Sequence, residues 1–173
     1  MRQDFVARQQ LDLLRERIES ACNENGLEES ARLFSVLSDI PGAHPKRLLI
    51  VGAGDSYPAA ILAKQKLQRS MASPFIEAMT PHFAIRKLIP IQYHQVIYPS
   101  YSPIYDMVIA ISYSGKSPDI LQVYEHCKRA NIPFTLITCA ERYKMREIYP
   151  VGTANVFCFP HSSGIERGMI SMA

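Results

Sequence analysis

The sequence predicts a three-layer α/β sandwich on a five-stranded parallel sheet, preceded by N-terminal helices. Two observations carry this. First, RLLIVGA (47–53), DMVIAIS (106–112), FTLIT (134–138) and NVFCF (155–159) are unbroken aliphatic or β-branched runs, with PFIEAM (74–79) a weaker fifth. Strands covered on both faces read this way, whereas a half-solvated sheet would alternate. Second, helical stretches at about 57–70, 117–131 and 141–148 separate the runs, so the order is βαβ repeated.

Ahead of this pattern, Phe5, Val6, Leu11, Leu13, Leu14 and Ile18 recur at three- and four-residue steps, the spacing of an amphipathic helix ended by Asn25-Gly26. SARLFSVLSDI (30–40) reads as a second helix, and PGAHPK (41–46) as a linker, since two prolines and a glycine deny helix and ladder alike. The expected organisation is therefore a helical segment over 1–45 and an α/β domain over 46–173. Between 80 and 105, four prolines and four tyrosines suggest a short helix near 82–89 and then a long loop packed on the domain.

The totals exclude several classes. With 173 residues, 47% hydrophobic and 20% charged, the chain fits one soluble domain with a proper core. Its net charge of +3 comes from basic residues scattered among nearly as many acids, so no basic stripe suggests nucleic acid, and a small anionic ligand is the better expectation. Cys22, Cys127, Cys139 and Cys158 are far apart, which indicates neither a zinc site nor a disulfide framework. No metal or cofactor is called for. No long apolar run suggests a membrane span or leader, so a cytoplasmic protein is expected.

Open α/β sheets bind ligands beyond the carboxyl ends of their strands, which singles out Gly52 to Tyr57, Ser112 to Ser117, and HSSGIERGMIS (161–171). In the second, Ser117 fits an N-cap and Pro118 the first helical turn, so the serines stand at the positive end of a helix. A phosphate could sit there on hydroxyls and backbone amides. Ordinary capping needs one serine; three serines favour the anion seat over that simpler reading. A P-loop is one residue short here, with Ala110 where glycine is needed. The first segment resembles a dinucleotide fingerprint, but Tyr57 replaces its third glycine, and Glu77 is then expected to be a solvated strand-end acid.

Taken together, Gly54-Asp55-Ser56-Tyr57 after an apolar strand, then strand-SYSGKSPDI, then Glu166 with Ser171 five residues on, resemble the sugar isomerase (SIS) domain family. The resemblance covers about residues 46–173 and implies a flavodoxin-like strand order and a phosphorylated sugar or amino sugar as ligand. It implies that Gly54, Ser56, Ser112, Ser114, Ser117 and Ser171 contact the ligand, with Tyr113 and Gly115 supplying backbone N–H groups. By the same resemblance Asp119 is the acid expected to steady the start of the helix.

Glu166 falls where isomerizing members carry a glutamate that moves a proton between C1 and C2 through an enediol. A helix N-terminal acid is the equal alternative. His161 could assist proton transfer or simply be a loop residue, and Lys116 either screens the phosphate or faces solvent. Arg167, Met169, Ile170 and Met172 depart from the family pattern around Gly168 and Ser171. Related domains continue with a long helix after the glutamate. Here the sequence ends at Met172-Ala173, so either it is cut or a second SIS half or subunit, such as a homodimer partner, supplies that helix. The implied activity is aldose–ketose isomerization; the alternatives are a noncatalytic sugar-phosphate sensor or other chemistry on the same ligand class.

Overall fold

The computed structural model describes residues 24–38, 47–70, 75–88 and 105–159. Their order is α1 (Glu24–Ser38), β1 (Arg47–Gly52), α2 (Ser56–Ser70), β2 (Phe75–Met79), α3 (Pro81–Leu88), β3 (Met107–Ile111), α4 (Pro118–Arg129), β4 (Phe134–Thr138), α5 (Arg142–Arg146) and β5 (Asn155–Cys158). All five strands are parallel and lie in the order β2-β1-β3-β4-β5, which is the flavodoxin-like arrangement.

The alternation of side chains along each strand separates two cores. Leu48, Ile50, Ile76, Met107 and Ile109 meet Ala60, Ala63 and Leu67 of α2 and Val36 and Leu37 of α1. On the other face Leu49, Val51, Val108, Ala110 and Leu136 meet α3, α4 and α5 through Ala84, Leu88, Ile120, Val123, Tyr124, Cys127 and Met145. Both faces are covered, which is why the runs are wholly apolar. The chain steps one way from β1 to β2 and the other way from β2 to β3, β4 and β5. Right-handed crossovers then put α2 and the later helices on opposite faces. The reversal leaves a crevice between β1 and β3 at their carboxyl ends.

Two expectations are corrected. Asn25 and Gly26, read as the break between two helices, are themselves helical at the start of α1. A glycine in the first turn costs little against the docking of the helix on the sheet. Glu77 is not a solvated strand-end acid: it sits mid-strand in β2, takes a 2.7 Å ion pair from Lys87 Nζ, and accepts the hydroxyl of fully buried Tyr105. The expected helix over residues 5–18 and most of the Pro- and Tyr-rich stretch lie outside the described residues. Within them no helix is long and apolar enough to cross a membrane.

Candidate functional site

A cavity of about 540 Å³ opens at the switch point. Ala53, Asp55, Ser56 and Ala59 line it from the end of β1 and the start of α2; Ile111, Ser112, Tyr113, Ser114 and Ser117 from the β3–α4 loop; Ile137, Thr138, Cys139 and Phe159 from the ends of β4 and β5. Five of the residues singled out from sequence are thus brought together: Ser56, Ser112, Tyr113, Ser114 and Ser117.

The turn after β1 is tight. Ser56 N donates to Ala53 O and Tyr57 N to Gly54 O, each at 3.0 Å. A Cβ on Gly52 would lie 2.3 Å from the Ser56 carbonyl oxygen, so this glycine permits the close approach of strand and helix. Gly54, at φ 52, is exposed and shapes the turn without lining the cavity.

The β3–α4 loop has a consistent internal logic. Ser112 Oγ, in a residue only 7% exposed, accepts from Gly115 N at 3.2 Å; Ser114 Oγ accepts from Lys116 N at 3.2 Å; Ser117 Oγ, the N-cap of α4, accepts from Ile120 N at 3.4 Å. Each serine oxygen already takes one backbone proton. Its own O–H is the donor that remains, and a hydroxyl has only one. Three such donors at the N-terminus of a twelve-residue helix match an oxyanion, while Asp119 in the first turn draws on the same positive helix end. Gly115 N–H, expected to face a ligand, is directed at Ser112 instead.

The loop carbonyls point the other way. Tyr113 O accepts from Thr138 Oγ1 at 2.9 Å and from Cys139 N at 3.2 Å, and Gly115 O accepts from Tyr149 OH at 2.7 Å. Because the peptide unit is trans and planar, these anchors turn the N–H groups of Ser114 and Lys116 to the opposite side of the loop, where that of Lys116 is taken up by Ser114 Oγ. Gly115 has φ 64, and a Cβ there would meet Met145 Sδ at 2.6 Å. Only glycine fits that position without moving its floor. Lys116 is exposed and does not line the cavity. Ala110 is fully buried in the middle of the sheet, paired with Val51 and Leu136, so no P-loop glycine position exists.

Sequence reasoning gave no binding role to Asp55, although it lies inside the singled-out stretch Gly52 to Tyr57, and missed Thr138, Cys139 and Phe159, which directly follow or end apolar runs, the very signal applied elsewhere. Tyr149 and Met145 carried no such signal, since tertiary packing alone brings them under the loop. Glu166, His161 and Ser171 lie outside the described residues.

Fold and crevice define the class: an open α/β domain with a ligand-sized cavity at its topological switch point. Comparison with solved structures narrows it to the fold shared by sugar-phosphate proteins. A phosphoheptose isomerase from Francisella tularensis has 16% identity and a TM-score of 0.59, with 99% of this chain and 91% of that one covered. The Vibrio vulnificus NanR protein complexed with ManNAc-6P has 14% identity and a TM-score of 0.61 over 99% of this chain and 56% of that one. Tagatose-6-phosphate ketose/aldose isomerase from Escherichia coli has 20% identity and a TM-score of 0.59, covering 84% of this chain and 38% of its own. No family model and no curated protein sequence matches the chain. The resemblance read from the serine motif is therefore shown at the level of the fold.

Proposed function

We propose that the chain binds a phosphorylated sugar or amino sugar, with the phosphate on the β3–α4 loop and the sugar in the cavity toward Ser56 and Phe159. The observation that carries this is the arrangement of the loop itself. Three serine hydroxyls retain a proton to donate, the loop carbonyls are drawn inward, and α4 begins at the same point. The reaction proposed is aldose–ketose isomerization. Glu166 acts as the acid/base that removes the proton alpha to the carbonyl and returns it to the neighbouring carbon, and His161 assists. Ser171 completes the proposed contacts, and a homodimer partner or second SIS half completes the site. The proposed location is the cytoplasm.

A second reading, a noncatalytic sugar-phosphate sensor, is favoured by one observation: the neighbour bound to ManNAc-6P matches this chain as well as the isomerases do. One experiment separates the two. The full chain is titrated calorimetrically with fructose 6-phosphate and glucosamine 6-phosphate, then incubated with the tighter ligand in deuterium oxide. Binding that is lost in Ser114→Ala/Ser117→Ala supports the loop. Deuterium entering the sugar at C1 or C2, and not in Glu166→Gln, marks the isomerase; binding without exchange marks the sensor. Titration heats that the double variant leaves unchanged refute the phosphate seat.

A further inference from the structure

Tyr149 and Thr138 stand beneath the loop rather than in its sequence. Tyr149 is 2% exposed, and its ring lies 4.9 Å from that of Tyr124 at 68° and 6.1 Å from that of Phe134 at 13°. The ring is fixed by packing, so its hydroxyl is aimed at Gly115 O before any ligand arrives. Burial pushes the phenol pKa upward, which keeps it a proton donor at any working pH. Thr138 Oγ1 in turn accepts from Ala140 N at 3.1 Å, which orients its own proton toward Tyr113 O.

The geometry points to Tyr149 and Thr138 as positioning residues that hold the loop with its serine hydroxyls and the Ser114 amide toward the ligand, an inference that rests on the phosphate reading of that loop. The alternative state is close at hand. Gly115 has no Cβ, so rotation of the peptide between Gly115 and Lys116 meets little steric resistance. The rotated peptide would aim its carbonyl oxygen at the phosphate and take the Lys116 N–H away from Ser114 Oγ, the hydroxyl it now orients. Tyr149 opposes the rotation by holding the oxygen in the interior, where an unpartnered carbonyl is costly. Thr138 and Cys139 N do the same for the Tyr113 carbonyl, so the Tyr113 and Gly115 oxygens are both tethered.

The test follows backbone amide signals of the full chain by NMR while inorganic phosphate is added, for wild type, Tyr149→Phe, Thr138→Val and Tyr124→Phe. Tyr124→Phe is the packing control: it removes a hydroxyl bonded to Thr153 Oγ1 at 2.7 Å beside Tyr149 and leaves both tethers. Wild type should show saturable shifts at Ser114, Lys116 and Ser117. Tyr149→Phe should keep a dispersed spectrum yet bind phosphate roughly tenfold more weakly, with the Lys116 amide moved before phosphate is added. Tyr124→Phe should lose thermal stability without losing affinity. If Tyr149→Phe does not fold, Thr138→Val carries the same expectation at Ser114. Wild-type affinity in both tether variants overturns the positioning role and leaves the phosphate reading standing. Absence of saturable shifts in the wild-type loop overturns the phosphate reading, and the inference with it.

Discussion

Arg32, on α1, donates through Nη2 to the carbonyl oxygen of Val156 on β5, 2.6 Å away and 124 positions later in the chain. One helical turn earlier, Glu29 Oε2 accepts from Cys158 N at 3.3 Å, while its other oxygen pairs with Arg32 and Arg142. Val156 and Cys158 have the same parity on the edge strand, so their main-chain groups face away from β4. Two side chains of α1 therefore pair the edge that another strand would otherwise seek, and the Arg32 guanidinium also covers the Phe157 ring at 4.5 Å.

Arg32→Ala should lower stability by about 1 kcal/mol, because it removes the hydrogen bond to Val156, a surface ion pair with Glu29 and one cation–π contact at a partly exposed site. Thermal unfolding, together with light scattering of the concentrated protein, reads both the loss and the newly exposed edge. An unchanged melting temperature in this variant would mean that α1 does not hold β5 in solution.

Asp55 is the one charged side chain among the described residues that line the cavity. A carboxylate near a bound phosphate disfavours it by Coulomb repulsion, softened by exposure and salt. Asp55→Asn should thus bind inorganic phosphate about two- to fivefold more tightly at low salt, with the gain shrinking as salt is added. Calorimetry at two salt concentrations checks this. Weaker binding of an amino-sugar phosphate by the same variant would show that the carboxylate holds an amine or hydroxyl of the sugar.

The Glu77 cluster predicts an acid-sensitive edge. Burial by itself raises the Glu77 pKa, but the hydrogen bonds from Lys87 and Tyr105 and the Lys87 charge outweigh it, and the net shift is downward from 4.5. A carboxyl depressed in the folded state contributes stability that is present above its unfolded pKa and lost as pH falls through the folded one. Stability should fall below about pH 4.5, and less steeply in Glu77→Gln. Denaturant melts at pH 3 to 7 compare the two slopes, and parallel curves would remove Glu77 from the acid response.

Cysteine chemistry offers a direct probe of the cavity. Cys127 is fully buried, and desolvation pushes its pKa up to about 12; Cys158 is buried and shifted upward for the same first reason. Both thiols should be inert to alkylation in the native state. Cys139 is half-buried and lines the cavity. In a Cys22→Ser background, Cys139 should react first, and a bound sugar phosphate should slow it several-fold. Mass spectrometry of the alkylated peptides locates the reaction. Equal rates with and without a saturating ligand would place the ligand elsewhere.

Strand identity, the parallel sheet and the serine-capped start of α4 were legible in the sequence, because each depends on local chemistry. Unbroken β-branched runs are stable only when covered on both faces, and Ser117-Pro118 can begin a helix but not continue one. The same locality located one side of the crevice at Ser112, Ser114 and Ser117. It failed for Glu77, because burial and a partner tyrosine 28 positions away decide its state. It also failed for Asn25-Gly26, where the docking of α1 on the sheet outweighs a local break signal. Which way the loop faces was decided only by tertiary structure. Tyr149 is 34 positions from Gly115 and Thr138 25 from Tyr113, and no spacing rule links a hydroxyl on a distant element to the carbonyl it holds. The sequence determined that hydroxyls gather at the end of β3; the packing of β4, α5 and Tyr149 beneath them determined which way the Tyr113 and Gly115 carbonyls turn.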